Sequence, residues 1–128
     1  MIVGLGMDLV DVERVAKMLE RDGERVTRRL LTDNEWSYCS AMHAPAPHVA
    51  ARLAAKEAAF KALSGTHEAR GIGWRDIEVS HDEHRRPLIT LHGRAADRAT
   101  ELHVHRILVT LSHTRQTGGA VVILERDD

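Results

Sequence analysis

Hydrophobic and polar positions change rhythm several times along these 128 residues. From residue 2 to 10 they alternate. Val3, Leu5, Met7 and Leu9 point one way, and Ile2, Gly4, Gly6, Asp8 and Val10 the other. A period of two predicts a strand whose apolar face carries Leu5 and its neighbours. Its second face holds two glycines and then a carboxylate, and glycine inside a strand marks a bulge or a close backbone approach. From residue 11 to 22 the period becomes helical. Val12, Val15, Ala16 and Leu19 form a stripe that Val26 and Leu30 continue beyond Gly23. Thr32-Asp33-Asn34-Glu35 has capping-box spacing and predicts a short helix to Ser40. Pro45 and Pro47 suit the entry to the next helix, from about residue 47 to 64, rich in alanine and followed by Gly65.

Beyond the glycine-bearing loop, residues 76–81 and 88–92 read as two strands joined by a turn ending at Pro87. Residues 94–103 are helical by composition, and 105–112 and 119–125 read as strands across a turn at 114–118. The order β, several α, ββ, α, ββ predicts an α+β fold, a mainly antiparallel sheet packed with one long and several short helices. The length suits one domain, residues 1–128.

Composition narrows the function classes. The chain is 43% hydrophobic but only 3% aromatic, so the core must be aliphatic. A net charge of −1 gives no general attraction to nucleic acid or to an anionic membrane. No run approaches the ~18 apolar residues of a membrane span, and no basic segment precedes the apolar start as in a secretion signal. The single cysteine, Cys39, excludes an intrachain disulfide and a cysteine-built zinc site, and points to a cytoplasmic protein. Cys39 itself reads as a small buried apolar residue.

Fifteen of the eighteen basic residues are arginine, while Lys56 and Lys61 stand five positions apart on the long helix. On a helical wheel Val49, Leu53, Phe60 and Leu63 share a face with Lys56 at its centre. Glu57 and Lys61 lie on the flank as i and i+4 neighbours, beside Ala50 and Ala54, whose small side chains leave room for a bulky ligand. A surface pair Glu57–Lys61 would contribute only a few tenths of a kcal/mol, and Lys56 would be a snorkelling stem. The preference for lysine in an arginine-rich chain argues for a compact ammonium donating to phosphate. Asp8 and Glu57 together would suit Mg²⁺, which takes one or two carboxylates and leaves its other positions to water and substrate phosphates. A metal-dependent phosphate-ester hydrolase and a non-enzymatic binding module use the same residues, so composition and spacing alone leave the class open.

On the first helix Arg14, Lys17, Arg21, Arg25 and Arg28 fall within roughly 80°. They form an outward basic stripe if the helix persists through Gly23. Such a stripe suits an acidic partner, or is a solvated face flanked by Glu13, Glu20 and Glu24. Among nine histidines, His81/His84 and His103/His105 have metal-ligand spacing, but surface and edge-strand positions are the simpler reading.

Four segments in register carry a resemblance. Ile2-Val3-Gly4-Leu5-Gly6-Met7-Asp8 and the residues to Arg14 resemble the first motif of the holo-acyl-carrier-protein synthases. Arg52-Leu53-Ala54-Ala55-Lys56-Glu57-Ala58-Ala59-Phe60-Lys61 resembles the second. Trp74-Arg75-Asp76-Ile77-Glu78-Val79 with Pro87, and Leu111-Ser112-His113-Thr114 with Ala120–Glu125, complete it. The resemblance implies the phosphopantetheinyl transferase fold, usually a homotrimer with active sites between subunits. It implies transfer of 4′-phosphopantetheine from coenzyme A to a serine of an acidic acyl carrier protein, releasing adenosine 3′,5′-bisphosphate. By the same resemblance Asp8 and Glu57 bind Mg²⁺, and Lys61 neutralises phosphate charge. Arg52, Lys61, Gly65, Pro87, His113 and Thr114 line the coenzyme A site. Glu57 and His113 are both candidates for the general base, with Glu57 slightly favoured. Arg14, Met18, Arg21 and Arg25 are the expected docking residues for the carrier protein. Phe60, Arg85 and Gly118-Gly119 depart from the family pattern, Arg85 standing where a turn glycine is usual.

Overall fold

A computed structural model describes residues 1–64 and 70–128. Strand β1 (Ile2–Asp11) leads into helix α1 (Val12–Leu30), then α2 (Asp33–Ser40) and α3 (Pro45–Leu63). A 3-10 turn at Trp74–Asp76 precedes β2 (Ile77–His81) and β3 (Pro87–Leu91). Helix α4 (Gly93–Glu101) and strands β4 (Arg106–His113) and β5 (Thr117–Glu125) complete the order read from the sequence. β1, β5 and β4 form one antiparallel sheet in that order, and β2 and β3 form a second.

Local signals set the helix ends. The Asp11 carboxylate accepts the Glu13 N–H at 3.2 Å and caps α1. Thr32 and Glu35 complete the capping box of α2, with both reciprocal hydrogen bonds present. α3 starts at Pro45 rather than Pro47, since proline has no N–H to lose in a first helical turn. α1 bends at Gly23, whose backbone is non-helical at φ 17° and ψ −97°. The basic stripe therefore does not run as one straight line.

Helix α3 lies across the three-stranded sheet, and twelve of its nineteen residues are buried. The wheel assigned it a single apolar face; instead, elements pack around most of its circumference, and Glu57, Phe60 and Lys61 are among its less buried positions. Phe60, expected in the core, is 38% exposed. Ala50 and Ala54, expected to leave room for a ligand, are fully buried. β5 takes that room: a Cβ on Gly118 would meet Ala51 N at 2.7 Å.

The glycine face of β1 makes the close backbone approach read from the sequence, and the apolar face turns outward. Gly4, Gly6 and Asp8 pair with Leu124, Val122 and Ala120 on the side that meets α3. A Cβ on Gly6 would lie 1.8 Å from Ala58 O, and one on Gly4 2.4 Å from Ala62 O. Helix backbone fills the space that side chains would take. Leu5, Met7 and Leu9 face outward at 65%, 58% and 62% exposure. Ile123 pairs with Leu5 and Leu108, and Val121 with Met7 and Thr110, so the outer sheet face is largely apolar.

Candidate active site

Asp8 sits on β1 where the strand passes α3, and Lys61 reaches it across the interface. The Lys61 ammonium donates to Asp8 Oδ1 at 2.9 Å and to the Met7 carbonyl at 3.1 Å. Glycine at positions 4 and 6 lets strand and helix approach closely enough for this. Lys61 thus bonds the strand, not Glu57, its expected neighbour one turn back on the helix. Glu57 is half-buried and makes no ion pair among the described residues. Asp8 and Glu57 open on one cavity of about 380 Å³, which Arg14, Met18, Leu53 and Trp74 also line. Glu57 and Trp74 border a second cavity of about 210 Å³ with Lys56, Phe60, Ile72 and Gly73.

Lys56 is 1% exposed. It is no snorkelling stem. Its ammonium donates to Glu35 Oε1 at 2.7 Å, to the Ile77 carbonyl at 2.7 Å and to the Trp74 carbonyl at 2.8 Å. Three donors meet three acceptors. Burial pulls its pKa below the ordinary lysine value, and the Glu35 charge opposes that pull. Glu35 Oε2 accepts the Val79 N–H at 2.8 Å. Sequence reasoning read Glu35 only as a cap. The one signal for its second role was a lysine on an apolar face, which requires a buried counter-charge.

The remaining residues expected at coenzyme A gather elsewhere. Buried Arg52 donates from Nη1 to the His48 carbonyl at 3.0 Å, and its guanidinium lies 4.2 Å over the Tyr38 ring. Tyr38 stacks on His81 at 4.8 Å, and His48 meets His113 edge to face at 5.3 Å. Pro87 pairs with His81 between β3 and β2. Thr114 follows His113 and accepts the N–H groups of Gln116 and Thr117, closing the β4–β5 turn. Burial, then His113 and Arg52, lowers the His48 pKa; burial and then Arg52 lowers that of His81. Tyr38, His48 and His81 were not expected here. His81 stacks on a tyrosine rather than pairing with His84, and no cluster of three metal-ligating side chains occurs among the described residues. Gly65 lies outside the described residues.

Asp8 and His113 occupy opposite edges of the sheet. Two strand spacings sideways and two residues along put their Cα atoms about 12 Å apart. Helix α3 crosses the sheet, and its Ala50, Ala54 and Ala55 are fully buried. Of the expected docking residues, Arg14 and Met18 border the Asp8–Glu57 cavity, and Arg21 lies in the adjoining groove. Arg25 lies beyond the Gly23 bend with Arg28 and Arg29. Lys17 and Arg28 are paired with Glu13 and Glu24, so part of the stripe is neutralised. Cys39 is fully buried, with burial pushing its thiol pKa up to about 11, as a core residue requires.

Residues 4–122 match the model of the 4′-phosphopantetheinyl transferase superfamily. The chain belongs to that superfamily, among the holo-acyl-carrier-protein synthases. The holo-[acyl-carrier-protein] synthase of Vibrio cholerae is 47% identical over 126 residues, covering 98% of this chain and 99% of the relative. That of Yersinia pestis is 41% identical over 124 residues, covering 97% and 98%. Among solved structures, the Neisseria meningitidis synthase superposes with a TM-score of 0.85 at 26% identity, over 98% of this chain and 100% of that one. The Bacillus anthracis synthase, solved in complex with CoA (3′,5′-ADP), gives 0.79 at 31% identity over 99% of both chains. The α+β architecture is thus the phosphopantetheinyl transferase fold, and the motifs that suggested it lie on β1, α3, the Trp74 turn with β2, and β4–β5.

Proposed function

We propose that the chain transfers 4′-phosphopantetheine from coenzyme A to a serine of an acyl carrier protein, with Mg²⁺ as cofactor and adenosine 3′,5′-bisphosphate as the leaving product. The observation that carries this is the opening of Asp8 and Glu57 onto one cavity, with the Lys61 ammonium 2.9 Å from Asp8. The cavity offers two hard carboxylates and no imidazole or thiolate, a donor set that fits Mg²⁺, which needs no full protein cage. Asp8 and Glu57 would hold it. When bound, it supplies charge neutralisation at the coenzyme A diphosphate.

The side chains have separable tasks. Lys61 holds a positive charge at Asp8, where the bridging oxygen of the leaving bisphosphate gains charge. The serine hydroxyl attacks the β-phosphorus, the bond to the bridging oxygen breaks, and the hydroxyl proton passes to Glu57. Glu57 is the favoured acceptor because it shares the cavity with Asp8, whereas His113 would have to come from a neighbouring copy. Arg14 and Met18 on the cavity rim, with Arg21 and then Arg25 further along α1, receive the acidic carrier protein. Lys61 and the set Arg52, Pro87, His113 and Thr114 lie on opposite flanks of α3. One copy does not bring them to one coenzyme A, whereas two copies side by side would. The exposed Leu5, Met7, Leu9 and Leu108 supply an apolar face for that association, and a homotrimer with sites between subunits is the assembly proposed. With one buried free thiol, a cytoplasmic setting fits the same reading.

The test is incubation with coenzyme A, Mg²⁺ and an apo-acyl carrier protein, followed by intact-mass measurement. The expected result is a gain of ~340 Da on the carrier, set by the chemistry of the transferred group, that disappears when the carrier serine is replaced by alanine. No gain with the wild-type chain overturns the proposal.

A further inference from the structure

Lys56 has no part in the chemistry above, yet it is bound more completely than Lys61. Its three donors take one acceptor each on α2, on the 3-10 turn and at the start of β2. Glu35 extends the knot, accepting the Thr32 and Val79 N–H groups at 2.8 Å each. Two of the lysine's acceptors, the Trp74 and Ile77 carbonyls, bracket the turn Trp74–Asp76. A guanidinium would not substitute, because its five donors in a planar fork exceed the three acceptors of this site. Lys56 also precedes Glu57 in the chain, and Trp74 is the residue, together with Glu57, that borders both cavities.

We propose that Lys56, with Glu35, is a positioning residue for the transfer reaction: it clamps the Trp74 turn to α3, so that Trp74 forms the wall of the Asp8–Glu57 cavity. Without the clamp the wall recedes and the two cavities meeting at Glu57 merge. The diphosphate then loses its fixed place against Asp8, Glu57 and Lys61. The Arg52–His113 cluster is untouched, so binding of coenzyme A persists while turnover falls. This inference rests on the proposed transferase reading, and the test separates the two.

The test uses the full chain in its native assembly: Lys56→Met, Trp74→Ala and the double variant, all at a temperature where circular dichroism shows each folded. The kcat and KM for coenzyme A are measured by carrier-protein mass gain. Tryptophan emission is followed in a Trp36→Phe background, which leaves Trp74 as the reporter. A reacting group misplaced by about 1 Å costs on the order of 100-fold, so Lys56→Met is expected to lower kcat by about 10- to 100-fold. The KM for coenzyme A is expected to stay within roughly threefold. Trp74 emission shifts to the red, and the double variant is no slower than the slower single one, because Lys56 acts through Trp74. A merely structural role predicts normal kcat in the folded fraction, and that result, or losses that multiply in the double variant, overturns the proposal. If Lys56→Met does not fold, Lys56→Arg and Glu35→Gln carry the same comparison. If the wild-type chain modifies no carrier protein, the transferase reading fails, while the emission of Trp74 still decides whether Lys56 holds the turn: an unshifted spectrum overturns the clamp.

Discussion

Replacing Gly6 with alanine tests the contact on which the site depends. The added Cβ would lie 1.8 Å from the Ala58 carbonyl oxygen, with the carbonyl carbon at 2.7 Å and Ala62 N at 3.1 Å. All three are helix backbone, so no flexible side chain can swing away. Carbon and carbonyl oxygen settle at about 3.3 Å or more, so β1 must retreat from α3 by roughly 1.5 Å. A gap of 0.5–1 Å already forfeits about a quarter to a half of each van der Waals well. Overpacking of a dense core costs about 1–3 kcal/mol and at times more. With rigid backbone on both sides, about 3–4 kcal/mol is the expected loss, far above the roughly 0.4–1 kcal/mol that glycine-to-alanine returns through the unfolded chain. For a chain of this length that lowers Tm by about 10–15 °C. Gly119→Ala is the control on the opposite sheet face. Its Cβ meets Leu9 Cδ2 at 3.0 Å, the tip of an exposed side chain that can turn aside, so a loss under about 1 kcal/mol is expected. Thermal melts by circular dichroism, with urea titrations, read both. Equal melting temperatures for the two variants would refute the packing argument. Activity should fall with Gly6→Ala even below its melting temperature, because Asp8 moves with β1 away from Lys61.

Three further outcomes follow from other parts of the molecule. Leu5→Lys with Met7→Lys places two charges on the outer sheet face and is expected to leave a folded monomer by light scattering; an unchanged mass would remove that face from the assembly. Arg85 holds φ 63° in the turn between β2 and β3, a left-handed conformation that penalises a side chain, so Arg85→Gly should stabilise by about 0.5–1 kcal/mol in a urea titration. His48 and His81 have pKa values lowered chiefly by burial, so the unfolded chain takes up protons first as pH falls below about 6.5. Their contribution is complete above that pH and is lost as pH drops through the lowered folded values. The urea midpoint should decline in that window, and His48→Gln with His81→Gln should flatten the decline.

What was legible in the chain depended on range. The capping box at Thr32–Glu35 involves neighbours in sequence and formed as read. The strand at residues 2–10 was equally clear in its period, and its glycines marked the close approach, but not which element approaches. Hydrophobic pattern weighs side chains, whereas glycine buries backbone against backbone, and Leu5, Met7 and Leu9 are left for another surface. Asp8, Glu57 and Lys61 were recognisable as chemistry, but the Lys61–Asp8 bond joins residues 53 apart and follows from how α3 crosses β1. Glu35 escaped notice because its capping role accounted for it fully. The histidine and tyrosine cluster around Arg52 draws on α2, α3, β2 and β4, and no periodicity links those segments. The departure at Arg85 marked a real constraint, since its position has the backbone geometry that glycine accepts most readily.

Helix α3 limits how this enzyme can be redesigned. Alanines 58 and 62 set the distance to the strand, Lys56 closes a buried charge, Arg52 anchors the aromatic cluster, and Lys61 bonds Asp8 beside the cavity that Glu57 lines. Scarcely a position on it is free to vary without disturbing two neighbours at once. Libraries aimed at a different acyl carrier should therefore leave α3 intact and sample the outward residues of α1, where Arg21 and Arg25 are exposed, while Met18 packs against the core and is kept. Partner choice can then drift while the reaction stays in place.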